Sequence, residues 1–74
     1  MGDKAGLASL QGALEAWDPS VRGAAIGALA KMPDRSSTGP LIKVLEREDE
    51  AVQNRAAALE ALGLMANEAA LSVL

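Results

Sequence analysis

The stretch WDPSVRGAAIGALAKM, residues 17–32, sets the architecture predicted for the whole chain. Asp18 followed by Pro19 is typical of a helix start, because aspartate caps free backbone N–H groups and proline at the first helical position loses no hydrogen bond. The Ala- and Leu-rich run that follows favours a helix as far as Met32, where Pro33 ends it. The stretch therefore predicts one helix with a defined start and end.

An amphipathic helix precedes this turn. Leu7, Leu10 and Leu14 recur at spacings of three and four residues, which predicts a helix over about residues 4–17 with one apolar side. A single helix cannot bury such a side alone. The sequence therefore predicts a pair of helices joined at the Asp-Pro turn.

The helix pair is repeated further along the chain. A shift of 31 residues aligns the first half of the pair: Leu10 with Leu41, Leu14 with Leu45, Asp18 with Asp49 and Val21 with Val52. A shift of 33 residues aligns the second half: Arg22 with Arg55, Ala25 with Ala58, Ala28 with Ala61 and Met32 with Met65. The second copy thus carries two extra residues, Gln53 and Asn54. Internal repetition at this period is typical of stacked helical units.

The repeat predicts an all-α chain of roughly five helices. PDRSSTGP, residues 33–40, predicts a loop, and Pro40 begins the third helix. Asp49 is expected to cap a fourth helix that runs to about Ala66. The units are then about residues 4–32, about 38–66 and the start of a third at 68–74, within a single domain or fragment covering residues 1–74.

Two segments resemble a known repeat: WDPSVRGAAIGALAKMPDRSSTGPLIKVL, residues 17–45, and LGLMANEAALSVL, residues 62–74. Their order of apolar helix, Asp turn, Val-Arg and Ala-Leu-rich helix resembles the short bacterial HEAT-like repeat of phycobilin lyases. The resemblance implies an α-solenoid of about two and a half repeats, with each second helix on the concave surface. It also implies Asp–Arg pairs between neighbouring units, Asp18 with Arg55 or Asp49 with Arg22.

The composition excludes several kinds of chemistry. The 74 residues include no Cys and no His, so thiolate and imidazole ligands and the usual general base near neutral pH are missing. The acidic residues Glu46, Glu48, Asp49 and Glu50 lack the glycine-containing spacing of a calcium loop and fit a helix end and the next helix start. We therefore expect no enzyme activity, no catalytic residue, no cofactor and no metal.

Charge and hydropathy favour a protein partner. The net charge is −3 with no basic block, which argues against nucleic acid. No apolar run approaches the ~18 residues that span a bilayer, and no signal-peptide core begins the chain, so the expected location is the cytoplasm with no membrane partner. The expected function is protein–protein interaction or scaffolding.

The residues expected to bind that partner lie on the second helix of each pair or at its start. They are Trp17, Arg22, Gly23, Gly27, Lys31, Gln53, Asn54 and Glu60. Gly23 and Gly27 suggest either a close helix–helix contact or mere compositional drift. Trp17, the only aromatic residue, is either a lid over the Ala-rich first unit or an anchor for a partner.

Other interpretations stay open at this point. The resemblance suggests a fragment of a chromophore lyase or cofactor chaperone, and helical repeats also include nucleic-acid-binding proteins. The apolar residues between Leu71 and Leu74 have no following helix to cover them, which predicts either a longer parent protein or a homo-oligomer formed through this edge.

Overall fold

The computed structural model describes the backbone of residues 4–73 and the side chains of residues 6–67. Four α-helices make up this part of the chain: α1 (Lys4–Ala13), α2 (Pro19–Lys31), α3 (Thr38–Glu46) and α4 (Val52–Val73), with a 3-10 turn at Arg35–Ser37. Helix α2 packs against both α1 and α4, and α3 packs against α4. The predicted all-α class is confirmed.

The turn between α1 and α2 begins earlier than predicted and ends where predicted. Helix α1 stops at Ala13 rather than near residue 17, because the next N–H groups bond three residues back, from Glu15 to the Gly12 carbonyl at 3.1 Å for example. Asp18 caps α2 by accepting a hydrogen bond from the Ser20 N–H at 2.9 Å, with Pro19 next to it in the first turn.

The linker between the two helix pairs is more ordered than a breaker-rich loop suggests. The Asp34 carboxylate accepts hydrogen bonds from the Ser36 N–H at 2.9 Å and from the Ser36 hydroxyl at 2.7 Å, and the 3-10 turn follows. Gln11 on α1 donates to the hydroxyls of Ser36 at 2.8 Å and Ser37 at 3.0 Å. Helix α3 starts at Thr38, so Pro40 lies within its first turn, where proline is tolerated.

Helix α4 does not begin where the sequence predicts. Asp49 was expected to be its cap, but the helix starts three residues later, at Val52, and Asp49 is exposed. The carbonyl of Ala51 accepts the first helical hydrogen bonds, from Asn54 and Arg55 at 3.0 Å each. The start moves because Glu50, one of the two residues between Asp49 and Val52, turns into the protein interior.

The prediction of a fifth helix is wrong. Helix α4 continues to Val73 without the break expected after Ala66. The physical reason is that the segment from residue 64 onward contains no proline or glycine and is rich in alanine, the best helix former. The prediction about the Leu71–Leu74 edge concerns side chains outside the described residues.

The core lies where the four helices meet. Its buried apolar residues are Leu14, Ala25, Ile26, Leu29, Leu41, Val44, Ala58, Ala61 and Met65. Leu7 and Leu10 pack against it, as the α1 stripe predicts. On α2, Val21 and Met32 are 44% and 43% exposed, whereas the charged Arg22 is buried.

Candidate functional site

The most unusual feature of the interior is a charged pair between the two helix pairs. The Arg22 guanidinium on α2 donates to the Glu50 carboxylate at two points, Nε to Oε2 at 2.7 Å and Nη2 to Oε1 at 2.9 Å. Both side chains are buried, with 4% and 0% of their surface exposed. This geometry is the two-point pairing that an arginine fork and a carboxylate favour.

Further hydrogen bonds surround this pair. Arg22 Nη1 donates to the carbonyls of Ala16 at 2.6 Å and Trp17 at 2.9 Å. Glu50 Oε1 also accepts from the Ala51 N–H at 2.9 Å and from Asn54 Nδ2 at 3.0 Å. A buried ion pair needs such additional hydrogen bonds to offset the loss of hydration.

These contacts fix the charge of both groups. The hydrogen bond from Arg22 lowers the pKa of Glu50 from 4.5 to about 2, against the opposing effect of burial, and hydrogen bonds from Asn54 and Ala51 add to the lowering. The contact with Glu50 also raises the pKa of Arg22. Neither group can exchange a proton near neutral pH, so the pair is suited to holding the helices together rather than to acid–base chemistry.

The Asp–Arg pairs implied by the resemblance do not occur. Arg22 pairs with Glu50 instead of Asp49, and the Asp49 carboxylate lies 3.9 Å from Arg47 at the surface. Arg55 donates to the Arg47 carbonyl, which is the counterpart of the bond from Arg22 to Ala16 one repeat earlier. Each arginine thus donates to a carbonyl that follows the first helix of its own pair. The carboxylate that joins the two units belongs to Glu50, one residue after the Asp49 that the resemblance implies.

Three of the eight residues predicted to bind a partner are used inside the protein. Arg22 and Asn54 are buried, so neither lies on an exposed face. Asn54 Nδ2 donates to the Pro19 carbonyl at 2.9 Å, and its Oδ1 would lie 2.7 Å from a Cβ added at Gly23. Gly23 is therefore the close helix–helix contact that the sequence suggested, and this contact is made with α4 of the same chain.

The other five predicted residues are exposed: Trp17, Gly27, Lys31, Gln53 and Glu60. Four of them lie along one side of α2 or along the equivalent side of α4, at helical spacing. The line on α2 is formed by Ser20, Ala24, Gly27 and Lys31, and the equivalent line on α4 is formed by Gln53, Ala57, Glu60 and Leu64. We call these two lines the second-helix face. A Cβ at Gly27 would contact nothing within 4 Å, so this part of the face is open.

Trp17 lies in the turn that precedes α2, three residues before Ser20 of this face. The residue is 87% exposed, which rules out the lid over the first unit. Its backbone is held in place, because its carbonyl accepts the 2.9 Å hydrogen bond from buried Arg22. The chain's only aromatic ring is thus exposed at the surface, on a residue whose backbone is held in place.

A family model for HEAT repeats matches residues 7–74. The chain belongs to the HEAT-repeat family. Its two HEAT-type helix pairs stack through α2 and α4, which agrees with the solenoid predicted from the sequence. No curated protein and no solved structure matches the chain.

The structure also bears on metal and membrane binding. Among the side chains that it describes, no three acidic residues lie together in an arrangement suited to a metal ion. None of its helices, over the described residues, combines the length and apolar character needed to cross a bilayer.

A groove of about 690 Å³ between α1 and α3 is lined by residues that include Gln11, Glu15, Lys43 and Arg47.

Sequence reasoning missed Glu50, the most important charged residue of the interior. The repeat alignment places it opposite Pro19, so periodicity carries no signal for it. The sequence did carry a signal for Asn54, which donates a hydrogen bond to Glu50. The second copy has two inserted residues, and Asn54 is the one that is buried between the units.

Proposed function

We propose that this HEAT-repeat chain is a non-catalytic protein-binding module that holds its partner on the second-helix face beside Trp17. One observation carries the proposal. Trp17 is 87% exposed, yet its backbone is fixed by the buried Arg22. Tryptophan is enriched among the residues that dominate binding energy at protein interfaces, and a residue whose backbone is already held in place loses less conformational entropy on binding.

The composition of the second-helix face supports the same proposal. Gly27 and Ala24 leave room for close approach of a partner backbone, while Lys31 and Glu60 supply one charge of each sign. Such a surface, which is small and polar and follows an exposed tryptophan in the chain, suits a protein segment better than a polyanion. The net charge of −3 also disfavours nucleic acid, and we expect no binding to it even at low salt.

The proposal does not depend on a finer classification. Bacterial origin and kinship with phycobilin lyases are expectations from the sequence resemblance, and cytoplasmic location is an expectation from the hydropathy of the sequence. The alternative function, a fragment of a chromophore lyase or cofactor chaperone, is checked by the absorbance spectrum of an added bilin or haem, which we expect to stay unchanged in the presence of the chain.

The proposed function is tested by affinity capture from an extract of the source cells. We expect a retained protein that is lost when Trp17→Ala or Gly27→Arg is used as bait. Ser9→Arg is the matched control, because it adds the same charge at an exposed position on α1, away from the second-helix face. The retained protein is then purified and titrated against the chain.

The titration has a built-in signal, since Trp17 is the only tryptophan. We expect its fluorescence emission to shift to shorter wavelength as a partner covers the ring, with saturation at one partner per chain. Two results would rule out the proposal: retention of the same protein by all three variants, or saturable binding that leaves the emission of Trp17 unchanged.

A further inference from the structure

The groove between α1 and α3 carries charges that the fold itself does not use. It lies between the first helices of two consecutive units, so both of its walls are inside the stack. Lys43 on α3 and Arg47 directly after α3 line one wall, and Glu15 in the turn after α1 lines the other. Among the described side chains, neither Lys43 nor Glu15 forms an ion pair, although they face the same groove.

Arg47 donates no side-chain hydrogen bond within the part of the chain that the structure describes. Its Nε has no acceptor, and the Asp49 carboxylate lies 3.9 Å from it, which is too far for a hydrogen bond. Arg22, by contrast, makes four side-chain hydrogen bonds. Because 36% of the Arg47 side chain is exposed, an anion in the groove can reach a guanidinium that the fold leaves largely unused.

The arrangement of the charges favours one carboxylate. Lys43 and Arg47 are four residues apart, and like charges at this spacing on a helix repel each other, so an anion between them removes the repulsion. The two positive charges and the negative charge of Glu15 leave the groove with a single positive charge. A carboxylate balances that charge, whereas a phosphate monoester, with a charge of about −2, exceeds it.

The rest of the groove suits a short segment of polypeptide. Its floor is apolar and is formed by Leu14 and Val44. Gln11 uses its Nε2 for hydrogen bonds to Ser36 and Ser37, and no donor among the described residues reaches its side-chain carbonyl oxygen. That oxygen can accept a hydrogen bond from the backbone N–H of a bound segment. The volume of about 690 Å³ is in the range of sites that enclose a ligand of a few residues.

We propose that this groove binds an acidic segment of a partner protein. The aspartate or glutamate carboxylate of the segment lies between Lys43 and Arg47, and a neighbouring apolar side chain packs on the floor formed by Leu14 and Val44. The groove is separate from the second-helix face, because none of its lining residues belongs to that face. The chain thus offers a second surface for protein, on its first helices.

Two glycines keep the groove open, one on each wall. A Cβ added at Gly12 on α1 or at Gly39 on α3 would meet no atom within 4 Å. A larger side chain at either position should therefore fill the groove without displacing a neighbouring residue. This property allows the groove to be blocked without changing its charge.

The test begins with the selection of short random peptides, displayed on phage, on the immobilised chain. We expect the retained peptides to share an aspartate or glutamate next to an apolar residue. One such peptide is synthesised and titrated by calorimetry, beside a version in which the matching amide replaces the acidic residue. The acidic version should bind about tenfold more tightly, because the amide cannot form a charge-assisted hydrogen bond with the guanidinium.

Substitutions of the charged residues test where the peptide binds. Lys43→Gln and Arg47→Gln should each weaken binding about fivefold or more. Lys31→Gln is the matched control for Lys43→Gln, because it removes the same charge from an exposed lysine on the second-helix face, and it should bind like the unchanged chain. Glu15→Gln should strengthen binding, since it removes the negative charge from the groove.

Filling the groove gives the sharpest result. Gly39→Leu should abolish binding, whereas Gly27→Leu, the same change at an open position on the second-helix face, should leave it unchanged. This control also separates the proposal from the function proposed above, because Gly27→Leu alters only the second-helix face. Circular dichroism checks that each variant is folded, and Gly12→Leu repeats the test if Gly39→Leu is not.

The proposal fails if the selection yields no acidic peptides, if the amide version binds equally well, or if Gly39→Leu binds like the unchanged chain. Loss of binding in Gly27→Leu would also overturn it, because the peptide would then lie on the second-helix face. Displacement of the peptide by a roughly tenfold excess of acetate would contradict it as well, since the groove would then take free carboxylates rather than a segment of protein.

Discussion

Arg22 and Glu50 join the two helix pairs through a buried ion pair with contacts of 2.7 and 2.9 Å. The residues are 28 positions apart in sequence and belong to different units. Their pairing also fixes the turn that carries Trp17, since the same guanidinium donates to the Trp17 carbonyl. One contact thus sets the stacking of the units and the position of the proposed anchor.

Replacing Glu50 should destabilise the fold strongly. Glu50→Gln leaves the Arg22 charge buried without its counter-charge, a type of change that costs about 3 kcal/mol or more. Such a loss is a large part of the stability of a small domain. Urea unfolding followed by circular dichroism measures it, with Glu48→Gln as the control, because Glu48 is exposed and its replacement should change the free energy of unfolding by less than about 0.5 kcal/mol. Equal midpoints for the two variants would contradict this assignment.

Stability should fall in acid because of Glu50. The pKa of Glu50 is lowered on folding from 4.5 to about 2, so its contribution is fully present above pH 4.5 and is lost as the pH falls toward 2. The difference in free energy of unfolding between the unchanged chain and Glu50→Gln should therefore shrink across this window. Denaturant titrations at several pH values between 2 and 7 measure the difference. A difference that stays constant with pH would show that the carboxylate is not held in its charged form.

Gly23 and Gly27 provide a matched pair of substitutions on α2. Gly27→Ala should stabilise the chain by up to about 1 kcal/mol, because alanine favours the helix and its Cβ meets no atom within 4 Å. Gly23→Ala should give no gain or a loss, because its Cβ would lie 2.7 Å from Asn54 Oδ1, and Asn54 is held by two hydrogen bonds. Thermal unfolding compares the midpoint temperatures of the two variants. The same change of midpoint in both would contradict the close approach of Asn54 to Gly23.

Trp17 should be unimportant for folding. Because the ring is 87% exposed, Trp17→Ala should change the free energy of unfolding by less than about 0.5 kcal/mol. Fluorescence quenching by acrylamide in the unchanged chain should be close to that of a free tryptophan derivative. A large loss of stability together with a protected ring would restore the lid interpretation and remove the proposed anchor.

The fold could be predicted largely because it depends on local signals. The cap at Asp18, the proline next to it and the leucine spacing of α1 each act within one or two turns of helix, and the repeat then extends them to the second pair. The error at the start of α4 occurred where a distant contact overrides a local signal. Asp49 has the character of a cap, but the start of α4 is set by Glu50 turning inward to Arg22, 28 residues away.

The candidate site was predictable in part for the same reason. Gly27, Lys31, Gln53 and Glu60 are exposed, because helical spacing decides which side of α2 and α4 faces outward, and their contact with a partner stays a prediction. Arg22 and Asn54 were misplaced, since a charged or amide side chain normally predicts exposure. Only their joint contact with Glu50 makes burial favourable, and no spacing rule announces such a contact.

A double-mutant cycle on Arg22 and Glu50 tests most directly the central claim that this pair joins the two units. The free energies of unfolding of the unchanged chain, Arg22→Met, Glu50→Gln and the double variant are measured by urea denaturation. We predict that each single change costs nearly as much as both together, because either one breaks the pair and leaves the other group buried. Losses that simply add would contradict the claim and would mean that the two side chains act independently.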